Sequence, residues 1–209
     1  MKIALVITAA GESTRFGRPK LFEDVAGRPL IYHTLKKFEH LALSQIVVTC
    51  RPGDEERLKN SITIRCKIVP GGKSRFESVR NAFEALEPAD IVMIHDAARP
   101  NVSSELLDRL LEAAKFHSAV IPVIPVVDTI KWVENGQVKQ TLPRDKLFCA
   151  QTPQLFHVDV LRRAYVNPAE VTDEAALMER IGVPVHVVEG DRRNIKVTVP
   201  DDLLWIHSD

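Results

Sequence analysis

Ile3-Ala-Leu-Val-Ile-Thr-Ala-Ala-Gly-Glu-Ser-Thr-Arg-Phe-Gly-Arg-Pro-Lys20 opens the chain with an apolar, β-branched run that ends in a glycine turn flanked by cations. A run that is apolar on both sides reads as a strand buried on both faces, and such strands belong to parallel sheets covered by helices. The same pattern returns at Gln45–Cys50, Ile64–Val69 and Ile91–His95. Between these runs the apolar spacing changes to that of helices, as at Phe76, Val79, Phe83 and Leu86, and at Leu107, Leu110, Leu111 and Ala114. Ser103 or Ser104 followed by Glu105 supplies the cap and the acidic first turn of the latter helix. Alternating strand and helix implies right-handed crossovers. The expected fold is α/β, a mostly parallel, doubly wound sheet.

Beyond Ser118 the rhythm breaks. Ser118–Val127 carries Pro122 and Pro125, so it is expected to be an edge, bulged or interrupted strand. Thr129–Thr141 then contains Asn135-Gly136, a strong hairpin signal. A hairpin has no obvious place in such a sheet, so it reads as an arm whose apolar residues Ile130, Trp132 and Val138 need a partner surface. The chain returns through Leu147–Phe156. Helices are expected around 158–165 and 173–181, then a strand at Val183–Val188 and a closing helix from Pro200. The whole chain, 1–209, reads as one domain with an excursion at about 129–147.

Composition narrows the function. With 209 residues, of which 28 are Lys or Arg and 28 Asp or Glu, the chain lacks the basic excess of a nucleic-acid coat. Three cysteines without a C-x-x-C pair suggest neither a disulfide framework nor a structural zinc site, and fit a reducing cytoplasm. The first apolar run matches a signal peptide only partly, and a buried strand accounts for it better. No run approaches the ~20 apolar residues that span a bilayer. The expectation is a soluble cytoplasmic protein with no membrane or nucleic-acid partner.

In an open parallel sheet the ligand lies beyond the carboxyl ends of the strands, and four segments fall there. Around Gly11 and Gly17, backbone N–H groups with Arg15, Arg18 and Lys20 suit an anion, although the glycines do not fit the dinucleotide pattern. Pro70-Gly-Gly-Lys-Ser74 imitates a P-loop but has Lys67 where that motif needs glycine. His95-Asp-Ala-Ala-Arg-Pro100 places a carboxylate beside an arginine at a strand tip. Asp96 there is either a Mg²⁺ ligand meeting phosphate oxygens or half of an ion pair with Arg99. Asn194-Ile-Lys-Val-Thr198 reads as a strand with one polar face. His95 and the other histidines are assigned to packing or solvent.

Together these segments resemble the 2-C-methyl-D-erythritol 4-phosphate cytidylyltransferase family: AAGESTRFGRPK, GGKSRFESV at 71–79, HDAARP at 95–100, PVVDTIK at 125–131, QTPQLF at 151–156, TDEA at 172–175 and NIKVT at 194–198. The resemblance implies a Rossmann-like nucleotidyltransferase fold, with CTP near Ala9, Ala10, Gly11, Gly72, Ser78, Asp96 and Ala97. It also implies catalytic roles for Arg15, Lys20 and Lys196, and Mg²⁺ on Asp96. The acceptor phosphate would meet Thr129, Arg144, Thr152, Thr172 and Arg99, partly across a homodimer clasped by the arm. Thr172 and Asp173 are read either as acceptor contacts or as a helix cap. Two departures stand out: the Arg15–Lys20 loop is shorter than usual for the family, and Lys73 occupies a position that is often acidic. A ribitol 5-phosphate (or other polyol phosphate) cytidylyltransferase and a non-catalytic nucleotide-binding scaffold are the alternatives.

Overall fold

The computed structural model describes residues 1–166 and 170–206; His207 lies outside them. In chain order the elements are β1 (Ile3–Ala9), β2 (Asp24–Val25), β3 (Arg28–Pro29), α1 (Leu30–Lys36), β4 (Leu43–Cys50), α2 (Glu55–Ser61), β5 (Lys67–Pro70) and α3 (Arg75–Glu84). There follow β6 (Ile91–Asp96), α4 (Ser104–Ala113), β7 (Ala119–Pro125), β8 (Lys131–Glu134), β9 (Gln137–Thr141), β10 (Phe148–Ala150), β11 (Gln154–His157), α5 (Val158–Ala164), α6 (Glu174–Arg180) and β12 (His186–Glu189). A 3₁₀ turn at Pro200–Trp205 closes the described chain, where a helix was expected.

The main sheet runs β5-β4-β1-β6-β11-β7-β10, with β12 on the other side of β7. β5, β4, β1 and β6 are parallel, and β11 is antiparallel to both β6 and β7. Side chains alternate across the pleat. Leu5, Ile7, Ile46, Val48, Ile91 and Met93 pack against α1, α2 and α4 on one face. Val6, Val47, Val92 and Ile94 pack against α3, α5 and α6 on the other. The doubly wound α/β expectation holds. Ser103 caps α4 as expected, its hydroxyl accepting from the Leu106 N–H.

The proline-bearing strand β7 is internal rather than an edge. β11 and β12 both pair with Val120, so they flank β7 on opposite sides. Pro122 is tolerated because its carbonyl faces the β10–β11 side, where it accepts from the Gln151 N–H at 2.8 Å. An N–H on residue 122 would point the same way, and the neighbouring chain leaves the ladder there, between Ala150 and Gln154. The interruption is thus in the partner strand.

Two other strands begin later than expected. The run from Ile64 pairs only from Lys67. β12 starts at His186, because the Val183 N–H is still held by the Met178 carbonyl at the end of α6. Asn194–Thr198 is no strand at all. The hairpin forms as expected: β8 and β9 pair through Asn135 and Gly136, both at positive φ, and join no other strand among the described residues. Trp132, Val133 and Val138 on it are each more than half exposed.

Candidate active site

Beyond the carboxyl ends of β1, β5 and β6 lies a cavity of about 530 Å³, lined among others by Ala10, Gly11, Lys20, Gly72, Lys73, Asp96, Ala98 and Lys196. A larger hollow of about 940 Å³ between α1 and the start of α4 contains none of the predicted site residues. The smaller one sits where strand termini and loop N–H groups converge, so it is the candidate site.

Two glycine loops form its floor. A Cβ on Gly71 would come within 2.1 Å of the Ala10 Cβ, so the loops after β1 and β5 approach closer than any side chain permits. A Cβ on Gly72 would strike the Glu77 Cβ at 2.1 Å. Ser78 fixes this second loop: its hydroxyl accepts from the Gly72 N–H at 3.0 Å and donates to the Ser74 carbonyl at 2.9 Å. Lys73 faces the cavity, while its N–H is held by the Glu77 carboxylate.

Asp96 ends β6 at the centre. Lys196 Nζ lies 2.8 Å from Oδ2, Arg99 Nε 3.5 Å from Oδ2, and Arg75 Nε 3.5 Å from Oδ1. Thr8 donates to Oδ1 at 3.2 Å. Burial pushes the carboxyl upward, but Lys196, Arg75 and Arg99 together outweigh it and hold the group well below the usual carboxylate range. Asp96 is therefore ionised at neutral pH. Its ion pair with Arg99 is present, and Lys196 and Arg75 share the same carboxylate.

Lys20 enters from the first loop and donates to the Val197 carbonyl at 2.6 Å. Burial, then the charges of Lys196 and Arg15, lower its pKa. Arg15 itself is exposed on the turn above and does not line the cavity. Arg18 is tied to Glu23 at 2.6 Å.

The segment carrying Lys196 is held by amides rather than by a ladder. Gln151 Nε2 donates to the Asp191 carbonyl at 2.8 Å, Asn194 Nδ2 to the Thr152 carbonyl at 2.8 Å, and Arg99 Nη1 to the Asn194 carbonyl at 2.7 Å. The Val197 N–H donates to the Ala98 carbonyl. These bonds set the Lys196 backbone against the HDAARP loop.

Several predicted residues lie behind the cavity. Thr152 is buried; its hydroxyl accepts from the Asp96 N–H at 3.1 Å and sits 3.0 Å from His95 Nδ1. That arrangement makes Thr152 the donor to Nδ1 and leaves His95 Nε2–H to donate to the Arg99 carbonyl. His95 is thus a neutral packing residue, its pKa pulled down to about 4 by burial. Ala97 is fully buried, its carbonyl accepting from Thr34, and Ala98 faces the cavity in its place. Ala9 is partly buried, its N–H held by Thr49. Thr129 and Arg144 are exposed on the arm, outside this chain's cavity, and Arg144 donates to the Val127 carbonyl. Thr172 is exposed, while Asp173 caps α6 by accepting from the Ala176 N–H.

Thr8, Arg51, Arg75 and Glu174 were missed. Arg75 and Glu174 stand inside GGKSRFESV and TDEA, but their pairing joins residues 99 positions apart and leaves no local trace.

A divalent cation at Asp96 has one carboxylate and the Thr8 hydroxyl for donors. No group of three His, Cys, Asp or Glu side chains that could hold a metal ion exists among the described residues. Such a set suits Mg²⁺ that arrives with a polyphosphate and keeps waters, not a resident ion in a protein cage.

The 2-C-methyl-D-erythritol 4-phosphate cytidylyltransferase family model matches residues 3–207. Curated relatives with that activity in their names include those of Dictyoglomus thermophilum, 39% identical over 98% of this chain and 95% of theirs, and of Bacillus licheniformis, 40% identical over 98% and 94%. The crystal structure of the enzyme from Thermus thermophilus superposes with a TM-score of 0.81 at 34% identity, covering 98% of this chain and 96% of that one. With the cavity, its three central charges and the near full-length match in agreement, the chain belongs to the 2-C-methyl-D-erythritol 4-phosphate cytidylyltransferase family.

Proposed function

We propose that the chain joins CTP and 2-C-methyl-D-erythritol 4-phosphate, giving 4-diphosphocytidyl-2-C-methyl-D-erythritol and pyrophosphate, a step of non-mevalonate isoprenoid biosynthesis. The observation that carries this reading is the convergence of Lys20, Lys196 and Asp96 on one cavity floored by two glycine loops. A phosphate oxygen of the acceptor attacks the α-phosphorus of CTP; the new O–P bond forms as the bond to the β-phosphate oxygen breaks, and pyrophosphate leaves. The nucleophile is already an oxyanion, so no general base is required. Catalysis is positioning and charge stabilisation.

Loop N–H groups around Gly11 suit the nucleotide's phosphates, whereas those of Gly71, Gly72 and Lys73 are spent on Cys50, Ser78 and Glu77 and shape the second loop instead. Lys20 and Lys196 face the charge that develops on the equatorial oxygens, and Arg15, exposed on the turn above, would have to swing in to join them. Asp96 would hold a Mg²⁺ arriving with the triphosphate, which would supply neutralisation of the phosphate charge. Lys196 pairs with Asp96 in the free chain, so this ammonium exchanges its carboxylate for a phosphate oxygen as substrate enters.

The exposed arm supports a homodimer in which Thr129 and Arg144 of one subunit meet the acceptor phosphate in the other. The described residues contain no helix long and apolar enough to cross a membrane, and the free thiols Cys50, Cys66 and Cys149 support a cytoplasmic location.

The test is pyrophosphate release with CTP and Mg²⁺, using methylerythritol phosphate and ribitol 5-phosphate in parallel. Turnover with the former at least ~10-fold above the latter is expected for a site that discriminates through hydrogen-bonded hydroxyls. Preference for ribitol 5-phosphate, or release independent of any acceptor, contradicts the assignment.

A further inference from the structure

Resting on the reading that nucleotidyl transfer occurs over Asp96, we infer that Arg75 and Glu174 act as a positioning pair that sets the orientation of this carboxylate. Glu174 is 0% exposed, at the start of α6. Arg75 Nη1 donates to both of its oxygens, at 3.1 and 2.9 Å, and lies 3.4 Å from the Thr172 carbonyl. The other edge of the same guanidinium places Nε 3.5 Å from Asp96 Oδ1. Arg75 and Thr8 thus occupy Oδ1 together and leave Oδ2 to Arg99 and, on the cavity side, to Lys196.

Stability alone is a poor reason for this pair. A buried carboxylate and guanidinium cost desolvation that their attraction barely repays, and apolar replacements of both are often neutral. Arg75 Nη2 is moreover buried with no acceptor among the described residues, an unmet donor that a purely structural pair has no cause to keep. What the arrangement does secure is direction. Nη1, shared between both Glu174 oxygens, holds Arg75 against Glu174, and one planar group then links the Thr172–Glu174 segment to the carboxylate beneath the reacting phosphates. Glu174 is sealed behind Arg75, and Arg75, at the cavity wall, is assigned to act through Asp96.

Three variants test this: Glu174→Gln, Arg75→Gln and the double variant, each measured for melting temperature, for kcat and KM, and for CTP affinity by calorimetry in the absence of acceptor. Arg75→Gln leaves a buried unpaired carboxylate and melts early. The double variant removes both charges and returns to within about 3 °C of the parent. Its kcat nevertheless stays roughly 10²-fold down, the scale of an ångström-level misplacement, while KM and the calorimetric Kd for CTP stay within about threefold. Recovery of kcat together with melting temperature in the double variant would reduce the pair to a structural role. A double variant that stays unstable would show that the charges themselves hold the fold, and would equally overturn the inference. An inactive parent would instead defeat the transfer reaction on which the inference rests.

Discussion

Lys20→Met separates catalysis from folding more cleanly than any other change at this site. The substitution keeps an apolar stem and removes one ammonium, which lies against the Val197 carbonyl and is disfavoured by burial and by the charges of Lys196 and Arg15. The lost hydrogen bond is worth about 0.5–1.5 kcal/mol, and relief of the buried, like-charged ammonium opposes it. Net stability should therefore move by less than ~1 kcal/mol, or about 2–4 °C in Tm for a chain of this size. The barrier to transfer loses one preorganised donor, so kcat falls by about 10²–10³, equivalent to ~2.7–4 kcal/mol. Steady-state pyrophosphate release and scanning calorimetry on the same preparation decide the matter. Near-parental kcat would refute the role of Lys20, and a collapse of Tm would show that the group is structural. Because the Lys20 pKa is lowered in the free chain, kcat/KM of the parent should decline on the alkaline side before an ordinary lysine, at 10.5, would titrate.

Other consequences are as direct. His95 is buried and neutral, with a folded pKa of about 4 against 6.5 when exposed. As pH falls the unfolded chain takes up this proton first, so stability drops by about 2 kcal/mol between pH 7 and 5. Urea midpoints of the parent and His95→Gln should converge at the lower pH, and parallel curves would contradict the assignment. Gly71→Ala drives a methyl into Ala10, 2.1 Å away, and should weaken calorimetric CTP binding by at least ~10-fold; unchanged affinity would mean that the two loops do not shape the nucleotide site. Replacing exposed Trp132 and Val138 on the arm by Ser and Asp should convert a dimer to monomers in sedimentation and reduce turnover. A fully active monomer would remove the composite site.

How much was legible in the sequence followed from how local each signal was. Parallel strands announced themselves as β-branched runs, and their carboxyl ends brought four segments, far apart in the chain, to one place. Lys20 and Asp96 could be foreseen there, whereas Lys196 was marked only by the family resemblance. Pro122 misled because a proline is an edge signal only when its missing N–H would face a continuous ladder. Here the partner strand breaks opposite it, a property of Gln151–Pro153 and not of β7. Asn194–Thr198 imitated a strand because alternation alone does not reveal that Gln151 and Asn194 side chains replace the ladder. Thr152 carries a hydroxyl suited to phosphate, yet it serves the Asp96 N–H and His95, since a buried strand tip must satisfy its own polar groups first. The Arg75–Glu174 pair depends on α3 and α6 meeting beside β6, which no spacing in the chain encodes.

The claim at the centre is that an acceptor phosphate oxygen attacks the α-phosphorus of CTP over Lys20, Lys196 and Asp96. Methylerythritol phosphate labelled with ¹⁸O in its phosphate group tests it by ³¹P NMR. Label is expected in the bridge of the new diphosphate, isotopically shifting the α-phosphorus of the cytidylyl group, with none in pyrophosphate. Label in the pyrophosphate, or an unlabelled bridge, would contradict it.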